Sequence, residues 1–592
     1  MKDRILFLVP PVLRFNDFIN PDKNIKVKKK NGKVYGNVIT DMPLSVLALS
    51  AYVKKYSSVE TKLIDFNTIL NMSETYKQNS FNNSFEEFFE KTLCDLEYKD
   101  FDPTIIGISS IFTPSLQNVI DLTKFCHKIF PNSLIIAGGG VPQNLYKEIL
   151  KEAPAIDAIC FGEGEKPLLS LLKAKDKKKY IEESKSWISH NKTSNGYSFE
   201  WDHIENLDEI PFYDYNLSNT SDYSLNPAIT ALAGVGGHKN KNYYKENYHV
   251  MTSRGCPFFC TFCSSHSIHG RKMRYYSEDR AKNDFKRLKE EHGVKVLVFQ
   301  DDHLMGDPKR AQRLIEYIGK LGLKAVFQNG LALYALKREM LETMKKAGVE
   351  QLTLPVESGS ERVLNKIMKK PLKLRIVEQV VNDCRELGIY TNLNILIGMP
   401  GETKVDIEDS ISFLRNIKAN WYIILFATPL AGTQMLEWCV ENDYLLSSYL
   451  DTDFKKAIVE TEDFTASYIY KKAYEMNLLL NMVENSDMIL GDYNKALIGL
   501  ENSVKAKNDH ALAHYYSGKC YEKLGNSEKA KYSYKKAKGI FDKQTFWREY
   551  ADMFNIYGDS HNKHSLYSAK GKFERGDEHT LRLYKGPVEN KL

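Results

Sequence analysis

The sequence predicts an α/β protein in three parts: a doubly wound domain, a partial (β/α)6 barrel and a helical tail. Three observations support this. Short apolar runs alternate with helix-like segments over the first ~170 residues, which indicates a parallel sheet covered on both faces. The alternation resumes from residue 248 with six new strand–helix units. After about residue 470 the strand-like runs stop. A chain of 592 residues is too long for one ordinary domain. Its 43% hydrophobic and 27% charged content is that of a globular protein. A net charge of +6 is too spread out to argue for nucleic acid. No apolar run approaches the ~18 residues of a membrane span. The N-terminal MKDRILFLVPP reads as a buried first strand, not a signal peptide, so a cytoplasmic protein is expected.

In the first domain, residues 1–175, the strand-like runs are 4–11, 61–66, 104–110, 133–139 and 155–163. Helix-like segments such as Pro43–Tyr56 and Ser115–Phe130 separate them. Ser109, Ser110, Gly138, Gly139, Gly140, Gly162 and Glu163 follow the strands, where an open α/β sheet places its ligand crevice. These glycines can also be read as tight turns.

Residues 176–245 are Lys-, Ser-, Asn- and Tyr-rich and read as a linker. GVGG at 234–237 follows no apolar strand, so it is not a phosphate loop. The barrel, 246–445, has strand-like runs at 248–254, 295–302, 324–330, 351–358, 390–399 and 421–429. Asp307 and Pro308 form a helix-start signal. Distinctive residues fall after the strands, where barrel chemistry sits. They are Cys256–Cys263, Asp301–Asp302, Glu357-Ser358-Gly359, Gly398–Thr403 and Pro429–Thr433.

Residues 446–469 read as a connector and 470–592 as a helical tail. Gly518, Tyr521, Ala530, Tyr534 and Ala537 fit a 34-residue helix-turn-helix repeat. Ala496, Leu500 and Ser503 fit the second helix of a preceding copy, whose first helix fits poorly at Glu484. The tail resembles two tetratricopeptide repeats, one degenerate; a plain helical bundle is the alternative.

Six of the nine cysteines are scattered (Cys94, Cys126, Cys160, Cys384, Cys439, Cys520) and read as small buried hydrophobes. The other three stand in SRGCPFFCTFCSSHSIHG at Cys256, Cys260 and Cys263. Clustered thiolates bind soft or borderline metals. With His266 they could close a zinc site, but four ligands on one loop are uncommon there. Alternatively, they hold three irons of a cubane that needs four ligands. The fourth iron is then open to a substrate.

C-x3-C-x2-C with Phe262 before the last Cys, after a strand and SRGCP, resembles radical S-adenosylmethionine enzymes. VESGSERVLNKIMKK, ILIGMPGET and ATPLAGT extend the resemblance to the branch with an N-terminal cobalamin-binding domain. MPLSVLALSAYV, IIGISS, IIAGGGVPQNL and DAICFGEGE are similar to segments of that domain, and the likeness covers roughly residues 1–440. It implies a Rossmann-like cobalamin domain, then a radical-SAM barrel, then the TPR-like tail. It implies a 4Fe-4S cluster on Cys256, Cys260 and Cys263, an S-adenosylmethionine on the open iron, and a 5′-deoxyadenosyl radical. Phe262 would lie beside the adenine, and Gly398 and Pro400 would shape its pocket. Asp301, Asp302, Glu357 and Ser358 would be polar contacts, although Gln300-Asp301-Asp302 replaces the usual Gly-Gly-Glu-like segment. Ser109, Ser110, Gly138, Gly139, Gly140, Gly162 and Glu163 would line the cobalamin site. The loop Pro10–Arg14 has no histidine, so none is expected as lower cobalt ligand. Asp301-x-His303-x-x-Gly306 imitates the histidine-donating pattern, but in the wrong domain.

The function implied is methylation of an unactivated carbon or a phosphorus centre. A rearrangement or cyclisation with the same cofactors is the alternative, followed by a cofactor-depleted scaffold. A methylthiotransferase is disfavoured, because the N-terminal domain lacks a second cysteine trio. The expected partners are a flavodoxin- or ferredoxin-like electron donor and, through the tail, a peptide or carrier protein.

Overall fold

A computed structural model describes residues 2–20, 26–28, 34–36, 38, 40–72, 84–193, 196–219, 222–223, 246–451 and 456–556. The GVGG at 234–237 lies outside them.

The main sheet of the N-terminal domain comprises β1 (Asp3–Val9), β2 (Val59–Asp65), β3 (Ile105–Ser109), β4 (Leu134–Gly138), β5 (Ala158–Cys160) and β6 (Trp187–Ile188). The strand order is 2-1-3-4-5-6. The first five strands run parallel, and only β6 is antiparallel. The chain reverses its winding between β1 and β3. A crevice therefore opens beyond their carboxyl ends, where doubly wound proteins bind ligands. The parallel strands are buried on both faces, as their continuous apolar runs require.

The second domain has β7 (Asn247–Val250), β8 (Val296–Phe299), β9 (Lys324–Phe327), β10 (Gln351–Glu357), β11 (Tyr390–Ile397) and β12 (Trp421–Phe426). All pair in parallel, as two three-stranded arcs. Period-2 alternation decides which side chains face inward. Tyr248, Leu297, Leu354 and Ile395 join the outer core beneath the helices. His249, Gln300, Gln328, Thr353 and Asn394 therefore belong to the inner wall.

Two expectations about boundaries give way. Residues 176–193 and 196–219 are no loose linker: Lys177–Glu183 is a helix, Trp187 is buried on β6, and Ile204, Leu207, Ile210, Tyr213 and Tyr215 are buried in the barrel core. Their apolar residues lack a regular period because they fill gaps between domains, not one face of a helix. The helical tail also begins earlier than 470. Helix Ala466–Leu478 lies on β12, and its Ile469 packs against Gly398. Beyond it, helices Tyr493–Ala506, Ala511–Lys523 and Ser527–Lys543 pack in succession around Leu500, Cys520 and Ala537. At Gly518 a side chain would strike the Tyr534 ring at 2.8 Å.

Among the described residues no helix is long and apolar enough to cross a membrane.

Candidate active site

The cysteine loop leaves β7 through Ser253 and Arg254 and is tied at several points. Gly255 has φ 93°, and a Cβ there would meet the Lys272 carbonyl oxygen at 2.5 Å. The Thr261 amide donates to the Met368 carbonyl (3.0 Å), and its carbonyl accepts from the Met435 amide (2.9 Å). The Thr261 hydroxyl donates to the Ile367 carbonyl at 2.9 Å. The three cysteines are half-buried and free. Burial pushes the Cys256 thiol up and the Cys260 thiol to about 11, and the nearby Lys370 ammonium opposes both shifts.

One tetrahedral zinc needs four ligands within about 2.3 Å of one point. Among the described residues no three His, Cys, Asp or Glu side chains form such a group. His266 turns its Nδ1 to the Cys263 carbonyl at 3.1 Å, inside its own turn. A cubane places each thiolate on a different iron and needs no such convergence. Three free, part-exposed thiols on one loop are compatible with a cluster on Cys256, Cys260 and Cys263.

The remaining barrel candidates gather at the same strand ends. Glu357 follows a bulge in β10 and has φ 69°, a strained value for a non-glycine residue. Its carboxylate lies 3.3 Å from the Lys370 ammonium, so Lys370 links Glu357 to the cysteine loop. The Ser358 hydroxyl is shared with Ser410 (3.1 Å). Gly398 has φ 87°, and its amide donates to Glu402 at 2.6 Å. Pro400 is buried in the same turn. Burial pushes the Glu402 carboxyl up to about 8, so near neutrality it is mainly protonated. Phe262 is half-buried against the barrel core.

The acidic pair divides. Asp301 accepts from the Thr252 amide (3.0 Å), the Thr252 hydroxyl (2.8 Å) and the Ser253 hydroxyl (2.6 Å). It fixes the end of β7 and is no free cofactor ligand. Asp302 accepts from the Gly255 amide, is pushed up by burial, and keeps Oδ2 without a hydrogen-bond partner.

In the first domain, a cavity of about 120 Å³ opens at the carboxyl ends of β3, β4 and β5. Phe7, Leu49, Ile108, Ile136, Leu168 and Trp187 make an apolar interior, and Ser109, Gly138, Gly139 and Gly162 line it. Gly139 has φ 95°, and a side chain there would collide with the Ser110 carbonyl. Gly162 has φ 82°, and Trp201 would be 2.6 Å from an added Cβ. Ser110 is paired with Ser115, and Gly140 opens the short helix Gly140–Asn144. An apolar slot with a glycine rim beyond the carboxyl ends of these strands fits the flat tail of a cobalamin. Pro11 and Leu13 of the loop after β1 are bound through their carbonyls by Asn118, at 2.8 and 2.9 Å.

Glu163 lines the cavity, as expected, and its partners come from the barrel. Both its oxygens are taken by side chains of the barrel: the cations Arg274 (Nη1 at 2.9 Å and Nη2 at 2.5 Å) and Arg254 (Nη1 at 3.0 Å), and the His269 ring (Nδ1 at 2.7 Å). Despite burial, those cations hold its carboxyl well below the usual range. Glu165 takes Arg254 Nη2 at 2.7 Å. Gln143 adds a link, accepting from the Gly162 amide (2.6 Å) and donating to the Ser267 carbonyl (2.5 Å). The loop after β5 and the segment after the cysteines are thus locked together. Lys370, Glu402, Gln143 and the Arg254 pairing escaped sequence reasoning. Only the charge run in GEGE signalled one of them.

Comparison with known proteins agrees with this architecture. The Radical SAM superfamily matches residues 250–414, and the B12 binding domain matches residues 90–172. The cytidylyl-2-hydroxyethylphosphonate methyltransferase of Streptomyces wedmorensis is 27% identical over 438 residues, 68% of this chain and 78% of that protein. The hopanoid C-3 methylase of Methylococcus capsulatus is 25% identical over 62% of this chain and 66% of its own length. The solved structure of the cobalamin-dependent S-adenosylmethionine radical enzyme OxsB with aqua-cobalamin has the same fold, with TM-score 0.58 and 14% identity over 94% of this chain and 81% of that one. Doubly wound cavity, cysteine loop and matched domains converge: the chain carries a radical SAM domain preceded by a B12-binding domain.

Proposed function

We propose that the protein is a methyltransferase acting on an unactivated carbon or phosphorus centre. The observation that carries this is the direct locking of the cobalamin-domain loop Gly162–Glu165 to the cysteine-loop residues Arg254, His269 and Arg274. Bound cluster supplies the electron that cleaves S-adenosylmethionine, and bound cobalamin supplies a transferable methyl group. The chain's residues do the rest. Cys256, Cys260 and Cys263 hold the cluster. The Gly398–Glu402 turn, Phe262, Glu357 and Asp302 are placed to seat S-adenosylmethionine. A carbon radical requires the barrel mouth to be shielded from water during turnover. The relatives support the reading: three named proteins transfer methyl groups to a phosphonate, a bacteriochlorophyllide and a hopanoid.

The experiment is anaerobic turnover of the reconstituted enzyme with a low-potential reductant. Methyl transfer yields S-adenosylhomocysteine together with 5′-deoxyadenosine. 5′-Deoxyadenosine without S-adenosylhomocysteine indicates the rearrangement or cyclisation that the Cereibacter sphaeroides cyclase relative represents. A flavodoxin- or ferredoxin-like protein is the proposed donor. The tail is the proposed docking element for a peptide or carrier. Residues 493–543 hold eleven Lys against five Asp and Glu, a charge suited to an acidic partner.

A further inference from the structure

Arg254 belongs to the barrel, two residues before Cys256, and lies outside the matched B12 binding domain. Yet it lines the cavity of the first domain. Its side chain is only 3% exposed. Nη2 is spent on Glu165 and Nη1 is paired with Glu163. Neither Nε nor Nη1 has an acceptor in hydrogen-bonding geometry, Nη1 meeting Glu163 only as an ion pair, and Nε has no ion-pair partner either. The Tyr213 hydroxyl sits beside the guanidinium and also lines the cavity. A buried guanidinium donor without an acceptor is costly, and native structures rarely keep one without a ligand or water to meet it. The nearby charges nearly cancel: Glu163 and Glu165 face Arg254 and Arg274. The spare donor is thus suited to a single acceptor oxygen and not to a multiply charged anion.

We propose that Arg254 is a cobalamin-binding residue, contributed by the barrel, whose Nε–H donates to an acceptor oxygen on the cobalamin seated in the interdomain cavity. The inference rests on the cobalamin assignment and extends it across the domain boundary. The oxygen has two possible sources, the phosphate of the nucleotide tail or an amide carbonyl on the corrin rim. Arg254 would then touch one cofactor while its backbone leads directly to the ligands of the other.

The test uses the full chain, anaerobically reconstituted with iron and sulfide and titrated with hydroxocobalamin by visible absorbance. Arg254→Lys keeps the positive charge between Glu163 and Glu165 but removes the Nε donor and the planar fork. The expected result is at least tenfold weaker hydroxocobalamin binding, with iron content and cluster EPR signal unchanged. Dicyanocobinamide, which lacks the nucleotide tail, distinguishes the sources. A loss for hydroxocobalamin alone assigns the phosphate, and an equal loss for both assigns a rim amide. Unchanged affinity for both overturns the proposal. Should Arg254→Lys lose its iron, Arg254→Gln, which keeps an N–H donor but loses the charge, serves as second variant. Binding within twofold of wild type in a folded, iron-loaded Arg254→Gln supports the donor role when Arg254→Met, which has neither charge nor donor, loses tenfold. Unchanged binding in both variants overturns it, as does a tenfold loss in Arg254→Gln. Wild-type protein that binds no hydroxocobalamin overturns the cobalamin assignment and this proposal with it.

Discussion

Single residues set the chemistry at two kinds of position. The first is the cysteine trio. Replacing any one of Cys256, Cys260 or Cys263 with Ala leaves a cubane short of a protein ligand. We expect iron content to fall and reductive cleavage of S-adenosylmethionine to drop below detection, measured as 5′-deoxyadenosine by chromatography. Cleavage that persisted in the three variants would remove the cluster from these residues. The second kind is the glycine that nothing else can replace. Gly255→Ala forces a left-handed backbone onto a residue with a Cβ and drives that Cβ into the Lys272 carbonyl. Such strain costs about 1–3 kcal/mol. The variant should unfold at lower denaturant and retain less iron than wild type, whereas Gly293→Ala, with open space around it, should keep its iron.

At the scale of elements, the turn between β11 and helix Lys404–Asn416 stores a titratable group. Glu402 receives the Gly398 and Met399 amides at 2.6 and 3.1 Å while fully buried. Its carboxyl is raised to about 8 from an ordinary value near 4.5. The folded state therefore holds a proton that the unfolded state releases. Stability from this group is fully present below pH ~4.5 and is lost as pH rises through about 8. Glu402→Gln removes the titration. Its denaturation midpoint should fall less between pH 6 and pH 9 than that of wild type, by roughly a few kcal/mol of unfolding free energy. A parallel pH slope in the two proteins would count against a buried, protonated Glu402. Elements of this kind show what sequence reading reaches. The parallel strands were legible because burial on both faces writes itself as unbroken apolar runs, as in ILFLV and LIIAG. The cysteine loop was legible because its spacing is chemistry. Glu163 was placed in the right crevice, but its barrel partners were not foreseen. An apolar run reveals a strand, but no local pattern reveals which distant arginine a carboxylate meets. Residues 176–193 and 196–219 failed for the same reason, since Ile204, Leu207 and Ile210 are buried by two domains together and repeat with no single period.

At the scale of the molecule, the tail is bolted to the barrel through polar groups. Asp487 is buried, accepts from Asn420 Nδ2 at 2.9 Å and pairs with Arg385 at 2.7 Å. Asn481 bridges the Tyr422 backbone at 2.8 and 2.7 Å. A truncation must leave these contacts in place, so the informative cut follows Gly491 and not residue 470. A chain ending at Gly491 loses the cover that Gly499 gives Trp421. It should melt a few degrees lower yet cleave S-adenosylmethionine at near the wild-type rate. Loss of that cleavage would give the tail a part in the active site.

The buried strap of residues 176–193 and 196–219 runs from the cobalamin domain into the barrel core and bears on how the enzyme is loaded. Because the two halves are covalently joined, opening the cavity between them is a unimolecular breathing motion and not a dissociation. The tether keeps each half at a high effective concentration, of millimolar order for short flexible links, so reclosure wins whenever the loops come apart. Cobalamin uptake should therefore saturate at a first-order opening rate that does not change with enzyme concentration. It should accelerate under mild denaturant that loosens the strap.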